Sequence, residues 1–173
     1  MKRNVLVFGL ILGTIMCVNM GYIANLCYNH PDFKSNDVLG YATMVVIFSL
    51  IFFGVRNYRN KELNGVISFG EAFKTGAFIA IVGATMYVIV WLFSYHLLVP
   101  DYLDKYIPHV LKEVAEKGPA NLAAKTKEMN KLREMYKNPF FFVLITYAEV
   151  LPVGLVVALI SALVLKRKSK SFI

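Results

Sequence analysis

The chain has 173 residues, 57% of them hydrophobic and 17% charged, with a mean hydropathy of +0.55. A soluble domain carries about a quarter charged residues, so charge has been cleared from long stretches and a soluble globular protein is excluded. The formal net charge of +8 would suit a nucleic-acid binder, but the basic residues flank the apolar segments, where they set membrane topology and meet anionic lipid.

Four apolar segments reach the length needed to cross a bilayer, about 20 residues: 5–27, 39–55, 75–99 and 140–165. The first follows Lys2 and Arg3 and could pass for a signal peptide. Its apolar run exceeds an ordinary h-region and no A-x-A site follows, so an uncleaved helix is expected. Cys17 and Cys27 lie in no lipobox. Ten residues apart on one helix, they stand about 15 Å apart and cannot bridge. Cys27 is left as an inert buried thiol or a cross-link between copies. Gly9 and Gly13 form a G-x-x-x-G pair suited to close helix packing.

The connection YNHPDFKSND is short and turn-like, making the first two spans antiparallel neighbours. The second span, 39–55, is short and borrows Asn57 and Tyr58 at its interface. After it, RNYRNKELNGVISFGEAFKTG carries Arg56, Arg59 and the turn dipeptide Asn64-Gly65. Ser68 and Glu71 form a capping box ahead of the third span, the carboxylate returning to the Ser68 amide, with Ile67 stapled on Ala72. Gly76, Ala80 and Ala84 repeat small residues every four along that span.

Residues 101–138 are the only polar stretch of any size. Apolar stripes at Leu103, Ile107, Val110, Leu111 and Val114, then at Leu122, Thr126, Met129, Leu132 and Tyr136, give two amphipathic helices broken at Gly118-Pro119. An extracytoplasmic helical hairpin between spans three and four is expected. Trp91, Tyr95 and Tyr102 read as an outer aromatic belt. Asn138 then caps the fourth helix, with Pro139 at the tolerated first position.

The fourth span carries TYAEVLPVG, residues 146–154. Glu149 lies about 13 Å from the helix start, near the middle of a core about 30 Å thick. The small-residue row Gly154, Ala158 and Ala162 lies half a turn away from it, so protein or water is expected on both sides of this helix. Pro152 frees the Ala148 carbonyl beside the acid. Lys74 is too far along the bilayer normal to pair with Glu149. Asn19 matches its depth, and Tyr147 and Tyr87 are further polar neighbours. A carboxyl there is expected to be neutral rather than charged and alone. Intramembrane acids mark proton, ion or substrate sites; the alternative is one interhelical hydrogen bond.

The run GVRNYRNKELNGVISFGEAFKTG, then YVIVW, then YKNP ahead of TYAEVLPVGLVVALISALVLKRK, resembles the domain-of-unknown-function 4199 family of small, mainly Bacteroidota membrane proteins. The resemblance covers essentially the whole chain. It implies a four-helix inner-membrane protein and no particular activity.

The expected architecture is therefore an all-α membrane protein with four transmembrane helices in a single domain spanning 1–173. Lys2, Arg3, Arg56, Arg59, Lys61, Lys74, Lys166, Arg167, Lys168 and Lys170 share one side, so both termini are expected in the cytoplasm of a bacterial inner membrane. Lys34 and the eight basic residues of the third connection oppose this, against six acids in that connection. No H-E-x-x-H, G-x-S-x-G or P-loop occurs, and His30, His96 and His109 lack ligand spacing, so no enzyme, metal or cofactor is expected. Two functions follow: a non-enzymatic scaffold, accessory or regulatory subunit meeting lipid, a protein partner or a second copy, or a proton- or ion-coupled transport element centred on Glu149 with Asn19.

Overall fold

The computed structural model describes residues 1–29, 37–118 and 121–167. Among them are seven α-helices: α1 Lys2–Asn29, α2 Asp37–Phe48, α3 Leu50–Glu62, α4 Phe69–Leu97, α5 Tyr102–Lys117, α6 Leu122–Tyr136 and α7 Pro139–Leu165. Four helical runs are long and apolar enough to cross a membrane: Lys2–Asn29, Val38–Glu62, Phe69–Leu97 and Pro139–Leu165. His30, Lys34 and most of the first connection, Pro119, Lys168 and Lys170 lie outside the described residues.

The helices run past the apolar segments. The second does so most, continuing through Arg56 and Arg59 to Glu62 rather than stopping near Val55. Both arginines therefore belong to a helix, and the loop shrinks to Leu63–Ser68. Its reversal is made by Asn64 and Gly65, with φ of 51° and 83°, the left-handed pair that this dipeptide favours. Within the second span Ser49 marks a local irregularity. Its hydroxyl donates to the Val46 carbonyl at 2.6 Å, and its amide is shared between the Val45 and Val46 carbonyls at 3.0 and 3.2 Å. Such back-bonding by serine loosens a helix turn.

The third span is central. α4 packs most extensively on α7 and on α1. Small residues let the backbones approach. A methyl at Gly9 would stand 2.6 Å from Val82 Cβ, and one at Gly83 would stand 3.3 Å from the Gly9 carbonyl oxygen. On the other flank of α4, a methyl at Gly76 would meet Ala158 Cβ at 3.0 Å, and one at Gly154 would meet Ala80 Cβ at 2.9 Å. The small-residue rows of α4 and α7 thus face each other inside one chain.

The two ends of the bundle are held differently. At one end the Met1 amino group pairs with Glu62 and Asn4, only 6% exposed, donates to the Gly54 carbonyl at 2.9 Å and accepts from Asn57 at 2.7 Å. Arg59 donates to the Leu165 carbonyl at 3.2 Å. Ile67 and Arg167 form an antiparallel bridge, with amide-to-carbonyl distances of 3.2 and 2.8 Å. Chain start, second loop and the end of α7 therefore share one end. Ser68 caps α4 by accepting from the Glu71 amide at 3.2 Å. The Glu71 carboxylate does not return to the cap as the box would have it. It accepts instead from the Tyr58 hydroxyl at 3.2 Å, which α3 brings into reach.

At the other end, α5 and α6 bury Leu103, Ile107 and Val110 against Met129, with Arg133 paired to Asp104 at 2.7 Å.

Candidate functional site

α7 begins at Asn138, whose side chain accepts from the Phe140 amide at 2.9 Å, with Pro139 in the first turn. From there the helical phase is fixed by the buried residues Phe142, Thr146, Val150, Gly154, Ala158 and Ala162. Glu149 lies off that row and is exposed on the protein surface, as is Pro152. The half-turn separation from the small-residue seam is what the sequence demands: nine residues advance an α-helix by about 900°, or 180° net.

Tyr147 takes the flank towards α4, and its hydroxyl donates to Thr85 at 2.8 Å. Thr85 in turn donates to the Ile81 carbonyl at 2.7 Å. This short chain ties α7 to α4 and ends on a backbone acceptor. Asn19 is half-buried on α1. The structure thus joins Tyr147 to the third span, while Asn19 lies on α1, which packs on α4.

Above Glu149, towards α5 and α6, lies an aromatic cluster. Trp91 contacts Tyr102 and Phe142, with ring centroids 5.1 and 6.3 Å apart. Tyr136 contacts Phe142 at 4.6 Å and Tyr95 at 5.3 Å. Trp91 is 6% exposed, so it is not a lipid-facing belt residue. The rings turn inward and fasten α5 and α6 onto the ends of α4 and α7. Burial pushes the Tyr136 hydroxyl up to about 12, a hydrogen bond with Trp91 pulls it back, and the negative charge of Glu149 raises it further. Glu149 is therefore within electrostatic reach of this cluster.

Nearby, the Tyr28 hydroxyl donates to Asp101, and the Lys105 ammonium lies 3.9 Å from the Tyr28 ring centroid. These contacts hold the end of α1 to the start of α5. The Tyr28 hydrogen bond holds the Asp101 carboxyl below its ordinary value. His96 is exposed, with Nδ1 2.8 Å from the Leu92 carbonyl oxygen. Among the described residues no three His, Cys, Asp or Glu side chains are placed to hold a metal. Cys27 is buried, at 3% exposure.

Several contacts escaped sequence reasoning. Gly83 lies three residues from Ala80, outside the every-fourth pattern, yet makes the closest approach to α1. The Asn4–Asn57 pair joins residues 53 apart, and a lone amide near each helix end carried no signal. Arg59 passed for a loop cation, although a basic residue near a helix C-terminus is a recognisable partner for free carbonyls.

Residues 6–167 match the family described as "Protein of unknown function (DUF4199)", and the chain belongs to that family. Neither the curated proteins nor the solved structures contain a match.

Proposed function

We propose that this member of the DUF4199 family is a non-enzymatic scaffold, accessory or regulatory subunit of a bacterial inner membrane, with both termini in the cytoplasm. The observation that carries the reading is the fixing of α5 and α6 to the bundle by Trp91, Tyr95, Tyr102, Tyr136 and Phe142. A polar helix pair held rigidly at one bundle end is a ready recognition surface outside the membrane. On α6, Lys127 and Lys131 are exposed one turn apart and belong to no contact that holds the bundle. Crosslinking in native membranes followed by affinity purification tests this. A stoichiometric partner is expected with the native chain and is expected to be lost with K127E/K131E; retention of the partner by that variant would remove α6 from the interface.

A second reading has its own observation. Glu149 is exposed on a membrane-length helix, half a turn from Ala158 on the packing seam. This supports a proton- or ion-coupled transport element. Glu149→Gln keeps size and hydrogen bonding while removing titration. If that variant folds and fully complements a deletion strain, the transport reading falls. If it folds and fails in a pH-dependent way, the scaffold reading falls.

A further inference from the structure

We infer that the corner where α3 meets the end of α7 is a binding site for an anionic phospholipid headgroup. Arg59 on α3 reaches the Leu165 carbonyl at the end of α7; Lys166 and Arg167 follow directly in the chain, and Arg56 lies about one turn back from Arg59 on α3.

Their placement is fixed by backbone contacts rather than by chance. Arg59 donates through Nη1 to the Leu165 carbonyl at 3.2 Å and through Nε to Asn60 at 2.9 Å, which leaves Nη2 available. Arg56 lies three residues earlier, about 60° from Arg59 around the helix, whereas Asn57 points about 160° away towards α1. Lys166 holds the Ala162 carbonyl at 3.1 Å, and Arg167 is clamped on both sides by the bridge to Ile67. The two tail cations therefore leave a pinned backbone, which lowers the ordering cost of binding.

No acid of the described residues competes for these charges. Glu62 takes the Met1 amino group and Glu71 accepts from Tyr58. Arg56, Lys166 and Arg167 are exposed. Their height is also right. Counting from Val38, Arg56 is about 27 Å and Arg59 about 32 Å along the span, so the guanidinium groups reach the edge of a hydrocarbon core about 30 Å thick. A planar guanidinium there can take a phosphate through two parallel hydrogen bonds. The corner is thus a preorganised phosphate site at headgroup level, distinct from basic residues that only set topology.

The test uses the full-length protein in detergent and native mass spectrometry with three lipids of matched acyl chains: cardiolipin, phosphatidylglycerol and phosphatidylcholine. Saturable binding in that order is expected. R56Q/K166Q removes two cations that make no contact within the described protein, and is expected to weaken cardiolipin binding roughly 30-fold, each charge contributing about fivefold. K2Q/K74Q removes the same charge from α1 and α4 and is expected to leave binding within a few-fold. R56K/K166R, which keeps charge, is expected to retain most of it. Equal losses in the two neutralised variants would reduce the site to diffuse charge and overturn the inference. So would equal retention of phosphatidylcholine, a loss in the charge-keeping variant as large as in R56Q/K166Q, or displacement of lipid by an acidic peptide at equal concentration.

Discussion

Gly9→Ala isolates the contact on which the α1–α4 pair depends. The added methyl would meet Val82 Cβ and Cγ1 at 2.6 Å and the Ile79 carbonyl oxygen at 3.3 Å. Val82 cannot swing aside, because Cβ is fixed to the backbone and a valine in a helix has one strongly preferred rotamer. Relief to an ordinary separation near 3.8 Å requires the helices to part by about 1 Å. Overpacking of this kind costs about 1–3 kcal/mol, while alanine in place of glycine returns up to about 1 kcal/mol of helix propensity. Gly21→Ala supplies the reference: it lies on the same helix and has nothing within 4 Å of the new methyl. The propensity gain is common to both, so the stability difference between them reads the contact and is expected to be about 1–3 kcal/mol. Reversible unfolding in mixed micelles measures it. Val82→Gly removes the facing isopropyl group altogether, and G9A/V82G is expected to show a coupling of about 1–2 kcal/mol in a double-mutant cycle. Equal stabilities for the two alanine variants, or zero coupling with Val82, would refute the close crossing.

Three further outcomes are expected. Asn57→Ala leaves the buried Asn4 amide oxygen without its 2.7 Å donor and should cost about 1–3 kcal/mol in the same unfolding assay; Asn4→Leu with Asn57→Leu should recover part of this by removing both polar groups. Tyr147→Phe deletes the hydrogen bond to Thr85 and should cost only about 0.6 kcal/mol, the average for such bonds between membrane helices. The Asp101 carboxyl is held below its ordinary value, first by the Tyr28 hydrogen bond, so its folded form binds its proton less readily than the unfolded chain. That contribution to stability is present above the ordinary carboxylate value and is lost as pH falls through the lowered one. Tyr28→Phe should raise the Asp101 titration towards the ordinary value, read by carbon-detected NMR, and flatten this acid limb.

The parts of the fold legible in the sequence are those set by one-dimensional pattern. Length and polarity marked the four runs able to cross a membrane, and Ser68 and Asn138 marked two helix starts through capping chemistry. Pattern fails where a contact depends on which helices are neighbours. Gly76, Ala80, Gly154 and Ala158 announced close packing but not that α4 would hold α7 on one flank and α1 on the other. Glu71 illustrates the same limit, since its local motif pointed to Ser68 while Tyr58, thirteen residues back, supplied the partner. Trp91, Tyr95 and Tyr102 carried the composition of an interfacial belt. The burial of Trp91 depends on α5 and α6 folding over it and bringing Tyr102 against its ring, which no local spacing encodes.

Placement on α7 decides how a substitution at Glu149 is to be interpreted. Among the contacts that seat this helix, Gly154 and Ala158 against α4 and Tyr147 on Thr85 lie about 140–180° around it from Glu149, whereas Phe142 among the rings lies within about 20° of its direction, two turns away. Glu149→Gln keeps the size and hydrogen-bonding capacity of the side chain, changes helix propensity by only a small amount and leaves the Gly154, Ala158 and Tyr147 contacts in place. The α4–α7 seam should therefore survive the exchange, and unfolding free energy should move by no more than about 0.5 kcal/mol, as for surface substitutions. A phenotype from a variant that keeps native stability would then report on titration of the carboxyl or on what meets that flank, not on collapse of the bundle. If instead Glu149→Gln unfolded as far as Gly9→Ala, the acid would have to be counted among the groups that hold α7 in place, and the transport reading would lose its separate footing.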